Sequence, residues 1–147
     1  NNCNSSTYLC SIFFYKKNMI LIIDTTKKEC LVGIFDGKKI DAKKWQWGKD
    51  SQKDTGTEVL ENIDGLLKKH AVTLKSIKAI VVNQGPGSFT GVRVGITIAN
   101  TLGWSKNIPV YGYCSQKSDL GKILAKVLKE KKKNFSPVLP HYPKNKT

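Results

Sequence analysis

The chain predicts an α/β fold built on a five-stranded mixed sheet, and three observations carry that reading. Three apolar or alternating runs follow one another through short connections between residues 19 and 47, which implies an antiparallel meander. The hydrophobic period then changes from that of a strand to that of a helix near Thr55. From Ile77 the order becomes strand, glycine-rich turn, helix, strand, which favours parallel pairing through a right-handed crossover.

Met19–Asp24 is a continuous apolar run ending in Asp-Thr-Thr and reads as a buried strand. Cys30–Phe35 is the second strand, and Asp36-Gly37 is a two-residue hairpin signal. Lys38–Trp47 alternates less cleanly and reads as an edge strand, followed by a polar loop over Gly48–Asp54. Thr55-Gly-Thr-Glu58 fits a capping box. Val59, Leu60, Ile63, Leu66 and Leu67 then share one face, so a helix is predicted over Thr55–His70. Gly65 weakens it by up to about 1 kcal/mol relative to alanine. Lys68, Lys69 and His70 suit the negative end of its dipole, which makes His70 a helix-end residue rather than a ligand. Ile77–Val82 is the fourth strand, Thr90–Trp104 the second helix and Ile108–Tyr111 a short fifth strand. Ser118 opens a last helix that sets Leu120, Ile123, Leu124, Val127 and Leu128 on one face. Lys129–Asn134 is a charge run, and residues 135–147 are Pro-rich and irregular.

Three segments result: an extension over 1–18, one lobe over 19–133 and an irregular tail over 134–147. The apolar run Tyr8–Tyr15 is too short to span a bilayer. Lys16 and Lys17 follow it, where a secretory signal has its basic residues first. Met19 is the sole methionine and is expected to be the native start, with residues 1–18 upstream of it.

The 147 residues suffice for one domain with a real core. A net charge of +14, from 25 basic and 11 acidic residues, suits nucleic acid or an acidic protein as partner. Equally, 24 lysines against the single Arg93 suit a lysine-rich coding bias, because readers of bases exploit the arginine fork. Cys3, Cys10, Cys30 and Cys114 form no CxxC pair, and with His70 and His141 they build no Cys/His metal box. Cys30 and Cys114 lie in apolar contexts and read as reduced core thiols of a cytoplasmic protein.

Residues 85–95 read Gly-Pro-Gly-Ser-Phe-Thr-Gly-Val-Arg-Val-Gly. The N–H groups of Gly87, Ser88 and Phe89 are candidates for holding a phosphate. Asp24, Thr25 and Thr26 are a second weak candidate, as carboxylate and hydroxyls for a metal–phosphate group. Neither segment matches a P-loop, and the glycine spacing misses the dinucleotide fingerprint by one residue. A structural turn is therefore preferred at both places. Gly87, Gly91, Gly95, Ala99 and Gly103 recur every fourth residue and form a ridge nearly without side chains. Each helical glycine costs roughly 1 kcal/mol against alanine, so another element must approach this ridge closely. Val94, Ile98 and Leu102 form a second ridge, expected to face the sheet while the glycine ridge meets another helix, of this chain or of a partner.

The strand Met-Ile-Leu-Ile-Ile-Asp-Thr-Thr, the strand Ile-Val-Val-Asn-Gln, the motif GPGSFTGVRVG and Ile-Pro-Val-Tyr-Gly together resemble the TsaB (YeaZ) family over about residues 19–115. That resemblance implies an ASKHA-type, ribonuclease-H-like lobe. It implies a non-catalytic subunit of the bacterial tRNA threonylcarbamoyladenosine machinery that supports a TsaD-type catalytic subunit, alongside a TsaE-type ATPase. The family's contact is a bundle of the first two helices of each partner, here about Thr55–His70 and Thr90–Trp104. Carried onto this chain, it assigns a partner surface to Leu60, Asp64, Ser88, Phe89, Gly91, Val92, Arg93, Gly95, Ile96 and Ala99. The same helices also suit a homodimer. Arg93 reads as an interface or turn-bracing residue rather than a catalytic one.

The departures matter as much. About 30 residues follow Ser115 where the family carries a second lobe. Pro137-Val-Leu-Pro-His-Tyr-Pro resembles the family's extreme carboxyl end, so the second lobe reads as deleted. A single lobe puts autonomous ATP binding in doubt, so no cofactor or metal is expected on this chain alone, and ATP and metal are expected on the catalytic partner. The HxxxH pair of the catalytic paralogue is absent, with Tyr111-Gly-Tyr-Cys-Ser after the fifth strand, and Gly56-Thr57 stands where the family often has His-Ser or His-Thr. No catalytic residue is assigned. Contact with tRNA is expected through the complex, and no membrane contact is expected. Two readings compete: a glycoprotease or kinase-like ASKHA enzyme, and a lysine-driven RNA-binding module in which Trp45 and Trp47 stack bases. Packing is the preferred role for those tryptophans.

Overall fold

The structure is a computed structural model that describes residues 18–48, 52–115, 119–131 and 133–143. The expected extension over 1–18 lies, but for Asn18, outside the described residues. Strand β1 is Met19–Asp24, β2 Glu29–Phe35, β3 Ile40–Gln46, β4 Ile77–Asn83 and β5 Val110–Tyr113. Helix α1 is Thr55–Lys69, α2 Phe89–Lys106 and α3 Leu120–Lys129, with a 3-10 turn at Leu74–Ser76.

The five strands form one sheet in the order β3-β2-β1-β4-β5. Strands β1, β2 and β3 pair antiparallel, and β4 joins β1 and β5 in parallel. The predicted mixed topology is therefore present, with β3 on an edge. Strand β1 is central and apolar at every position but its last, because both of its faces are covered. Met19, Leu21 and Ile23 join Val32, Ile34, Ile80 and Val82 under α1 and α2. Ile20 and Ile22 join Ala79, Val81 and Tyr113 under α3, through Leu124 and Val127. Each fully buried aliphatic side chain contributes about 1.5–3 kcal/mol, so this strand anchors the domain.

Local chemistry shifts several boundaries. Asp54, not Thr55, caps α1: its Oδ1 accepts from the backbone N–H of Thr57 at 2.7 Å. The capping-box expectation fails because the cap sits one residue earlier, and the N–H of Glu58, which a Thr55 cap would take, donates to the Asp54 carbonyl instead. That hydrogen bond holds the Asp54 carboxyl below its usual range. Val59, Ile63, Leu66 and Leu67 form the buried stripe, while Leu60 at its margin is 47% exposed. The hairpin is a longer turn than the two-residue signal implied. Asp36 Oδ1 accepts from the N–H groups of Lys38 and Lys39 at 2.8 and 2.9 Å, and Gly37 takes a φ of +98°.

Helix α2 sits the other way round from the expectation. Gly91, Val92, Gly95, Ile96, Ala99 and Gly103 are its buried residues. Val94, Ile98 and Leu102 are partly buried at the flank of the core. A Cβ on Gly91 or Gly95 would run into Thr25, and one on Gly103 would lie 2.8 Å from the carbonyl oxygen of Ile108. The small-residue ridge thus lets the helix backbone sit on the ends of the chain's own strands, not on another helix. Trp45 packs against the core, and the Trp47 ring lies 3.3 Å from where a Gly91 Cβ would be, so both tryptophans serve packing. Among the described residues no helix is long and apolar enough to cross a membrane.

Candidate functional site

The candidate site lies where β1 and β4 stop side by side. Their parallel register sets Ile23 beside Val82, so Asp24 and Asn83 leave the sheet together. The Asp24 carboxylate folds back on its own turn: Oδ1 accepts from the backbone N–H of Thr26 at 3.0 Å and from the Thr26 hydroxyl at 2.8 Å. Its Oδ2 accepts from Asn83 Nδ2 at 3.1 Å. Asn83 Oδ1 in turn accepts from the N–H of Gly85 at 3.0 Å. Gly85 has a φ of +104°, a conformation open to glycine and costly for other residues, and precedes a cis Gly85–Pro86 bond.

The turn then closes on β1. The N–H of Ser88 donates to the carbonyl of Thr26 at 2.7 Å. Ser88 Oγ caps α2 by accepting from the N–H of Gly91 at 3.3 Å. The buried Thr25 hydroxyl donates to the Gly91 carbonyl at 2.6 Å. Burial raises the Tyr113 hydroxyl well above its ordinary pKa, and the negative Asp24 adds to the effect. Burial also raises the Cys30 thiol to about 11, with Asp24 and Glu58 adding to it.

Asp24, Thr25, Thr26, Gly87 and Ser88 come together at this turn, where Gly87 and Ser88 are exposed. Thr25 and Thr26 are buried, a Cβ on Gly87 would collide with Thr26, and both Asp24 oxygens already have protein donors. The residues form a latch that fixes α2 to the end of β1. No cluster of three metal-ligating side chains exists among the described residues.

The ten residues assigned to a partner surface separate into two sets. Gly91, Val92, Gly95, Ile96 and Ala99 are buried within this chain. They serve the approach of α2 to the sheet. Leu60, Asp64, Ser88, Phe89 and Arg93 are exposed. Phe89 is 61% exposed, with the Arg93 guanidinium 4.9 Å from its ring centroid. Asp64 pairs with Lys68 at 2.8 Å. Between the first turns of α1 and α2 lies an open groove of about 590 Å³, lined by Thr55, Gly56, Phe89, Arg93, Val94 and Ile98 among others.

Sequence reasoning missed the tail as part of this region. Residues 133–143 contain neither helix nor strand, yet they are strapped along α2. Asn107 Oδ1 accepts from the N–H of Phe135 at 3.0 Å. The Asn100 amide bonds both the N–H and the carbonyl of Val138, each at 2.9 Å. Gln84 Nε2 donates to the carbonyl of Leu139 at 2.9 Å, and the N–H of His141 donates to the carbonyl of Gln84 at 3.0 Å. Tyr142 then stacks on Phe89 with ring centroids 5.7 Å apart. The one usable signal in the sequence is a set of amide side chains, at Gln84, Asn100 and Asn107, that take no part in the apolar period around them.

A family pattern described as TsaD, tRNA N6-adenosine threonylcarbamoyltransferase, matches residues 50–139, well over half of the chain. The chain belongs to this family. Curated proteins similar to it include several named TsaB. It is 33% identical over 95 residues to the tRNA threonylcarbamoyladenosine biosynthesis protein TsaB of Buchnera aphidicola subsp. Schizaphis graminum, covering 65% of this chain and 43% of the relative. It is 31% identical over 93 residues to the TsaB protein of Escherichia coli, covering 63% and 38%. Among solved structures, YeaZ from Pseudomonas aeruginosa superposes with a TM-score of 0.60 at 25% identity, over 66% of this chain and 44% of that one. The match spans less than half the length of these relatives. The ASKHA-type lobe expected from the resemblance is the fold observed.

Proposed function

We propose that this chain is a non-catalytic subunit in tRNA threonylcarbamoyladenosine biosynthesis and that it docks a TsaD-type catalytic subunit through the groove between α1 and α2. The observation that supports this reading is a division of labour at one end of the sheet. The polar groups that could do chemistry are bonded to one another in the latch, whereas the apolar Phe89 remains open at the start of α2 and Leu60 is exposed on α1. An exposed aromatic flanked by an arginine is the kind of anchor that carries binding energy in protein interfaces. In this reading a TsaE-type ATPase joins the same assembly, ATP and metal are held by the catalytic partner, tRNA is engaged through the complex, and the assembly works in the cytoplasm.

Mixing the chain with the TsaD protein of the same cell and following light scattering on size exclusion tests the proposal. A one-to-one complex is expected, weakened at least ten-fold by Phe89→Asp combined with Leu60→Asp. Separate elution, or a complex indifferent to those changes, rejects it. Homodimers that persist in the presence of TsaD would assign the same groove to a second copy of this chain instead.

A further inference from the structure

A second surface lies at the opposite end of the sheet from the latch, where β1 and β4 begin and α2 ends. It is a groove of about 550 Å³. Ile77, Ile108 and Pro109 contribute its apolar part, and Lys75, Lys78 and Lys106 its charge. The three lysines come from three separate elements: the 3-10 turn, the second position of β4 and the last residue of α2. Their convergence is therefore a product of the fold and not of one lysine-rich helix face.

Among the described residues no carboxylate lines this groove. The ion pairs among those residues engage Lys44, Lys53, Lys68, Lys69, Lys126 and Lys133, and none engages Lys75, Lys78 or Lys106. Lys78 reaches the carbonyl of Leu128 at 3.4 Å, a contact that leaves its charge uncompensated. Uncompensated charges of one sign around a concave, partly apolar wall focus a positive potential. Lysine ammonium groups serve as point charges for phosphates, and without an arginine fork they position a backbone rather than read bases. The apolar part suits the face of a sugar or base between neighbouring phosphates.

We propose that this groove binds the phosphate backbone of RNA. That the RNA is tRNA rests on the function proposed above; the binding itself does not. The test is fluorescence anisotropy of the purified chain with a labelled tRNA transcript between about 50 and 200 mM salt. The triple variant Lys75→Gln, Lys78→Gln, Lys106→Gln is expected to lose at least ten-fold in affinity, and its log–log salt dependence to flatten by about 2, given roughly 0.7–0.9 per phosphate contact. A control of equal charge, Lys27→Gln, Lys28→Gln, Lys43→Gln, is expected to lose less than about three-fold. Because Lys78 also touches α3, the double variant Lys75→Gln, Lys106→Gln repeats the test without that contact, and should lose affinity in the same direction. Equal losses in groove and control variants would overturn the proposal in favour of diffuse lysine charge. Displacement of the tRNA by polyglutamate of equal charge would overturn it in favour of an acidic protein. Complex formation with TsaD is read separately, so either proposal can fail alone.

Discussion

Replacing Gly91 with alanine puts one methyl group where α2 touches the end of β1. The added Cβ would collide with the Thr25 carbonyl oxygen, with the Trp47 ring 3.3 Å away on another side. A carbonyl at a strand end cannot rotate aside as a hydroxyl can, so the helix must retreat. Retreat also breaks the Thr25 hydroxyl bond to the Gly91 carbonyl, now 2.6 Å long. Overpacking costs about 1–3 kcal/mol, and an unsatisfied buried hydroxyl about 1–3 kcal/mol. Alanine returns at most about 1 kcal/mol of helix propensity. The expected net loss is about 2 kcal/mol or more. At roughly 4 °C per kcal/mol for a domain of this size, the thermal midpoint should fall by about 8 °C. The matched control is Gly65→Ala, whose Cβ meets nothing within 4 Å and which should gain about 0.5–1 kcal/mol. Scanning calorimetry of the two variants and the parent is the assay. A Gly91→Ala midpoint equal to or above the parent would refute the reading of the ridge as a backbone-contact surface.

Removing the cap of α1 with Asp54→Ala should lower the urea midpoint of unfolding at neutral pH, because the N–H of Thr57 loses its acceptor. The loss should fade below the ordinary carboxyl pKa, because a depressed carboxyl contributes fully above its unfolded value and loses that contribution as pH falls toward its folded one. Cys30 should resist alkylation at about pH 8.5 in the native chain and react once urea unfolds it. Its thiol is neutral when folded, so its contribution is complete below the ordinary value of 9.0 and is lost as pH rises toward about 11. Asn100→Ala removes both bonds to Val138 and should free the tail locally, at about 1–3 kcal/mol. Hydrogen exchange at the Val138 amide should rise while β1 stays protected.

The topology was legible because apolar runs, turn signals and helical stripes follow one another in separate segments. Apolar or alternating runs with short connections specify β1 to β3, and the Ile77–Ile108 segment specifies the parallel pair. The side on which the glycine ridge packs was not legible. Spacing by fours reports close approach but not by what, and Thr25 lies 66 residues away from Gly91. The same gap hid the bonding within the preferred turn. Asp24 bonds Thr26 within its own turn, but only the parallel register of β1 with β4 brings Asn83 to the Asp24 carboxylate. The partner residues divided on the same point: exposure separates Phe89 and Arg93 from Gly91 and Gly95, and periodicity alone cannot. The tail carries no period, so the clasps made by Gln84, Asn100 and Asn107 could not be placed from spacing.

The stacking of Tyr142 on Phe89 gives the tail a practical meaning. Tyr142 lies against one face of Phe89 at the mouth of the α1–α2 groove. A partner that seats on Phe89 therefore meets the Tyr142 ring, and must either pack on it or lift it away. An assay of binding at this groove reads the tail as well as the two helices.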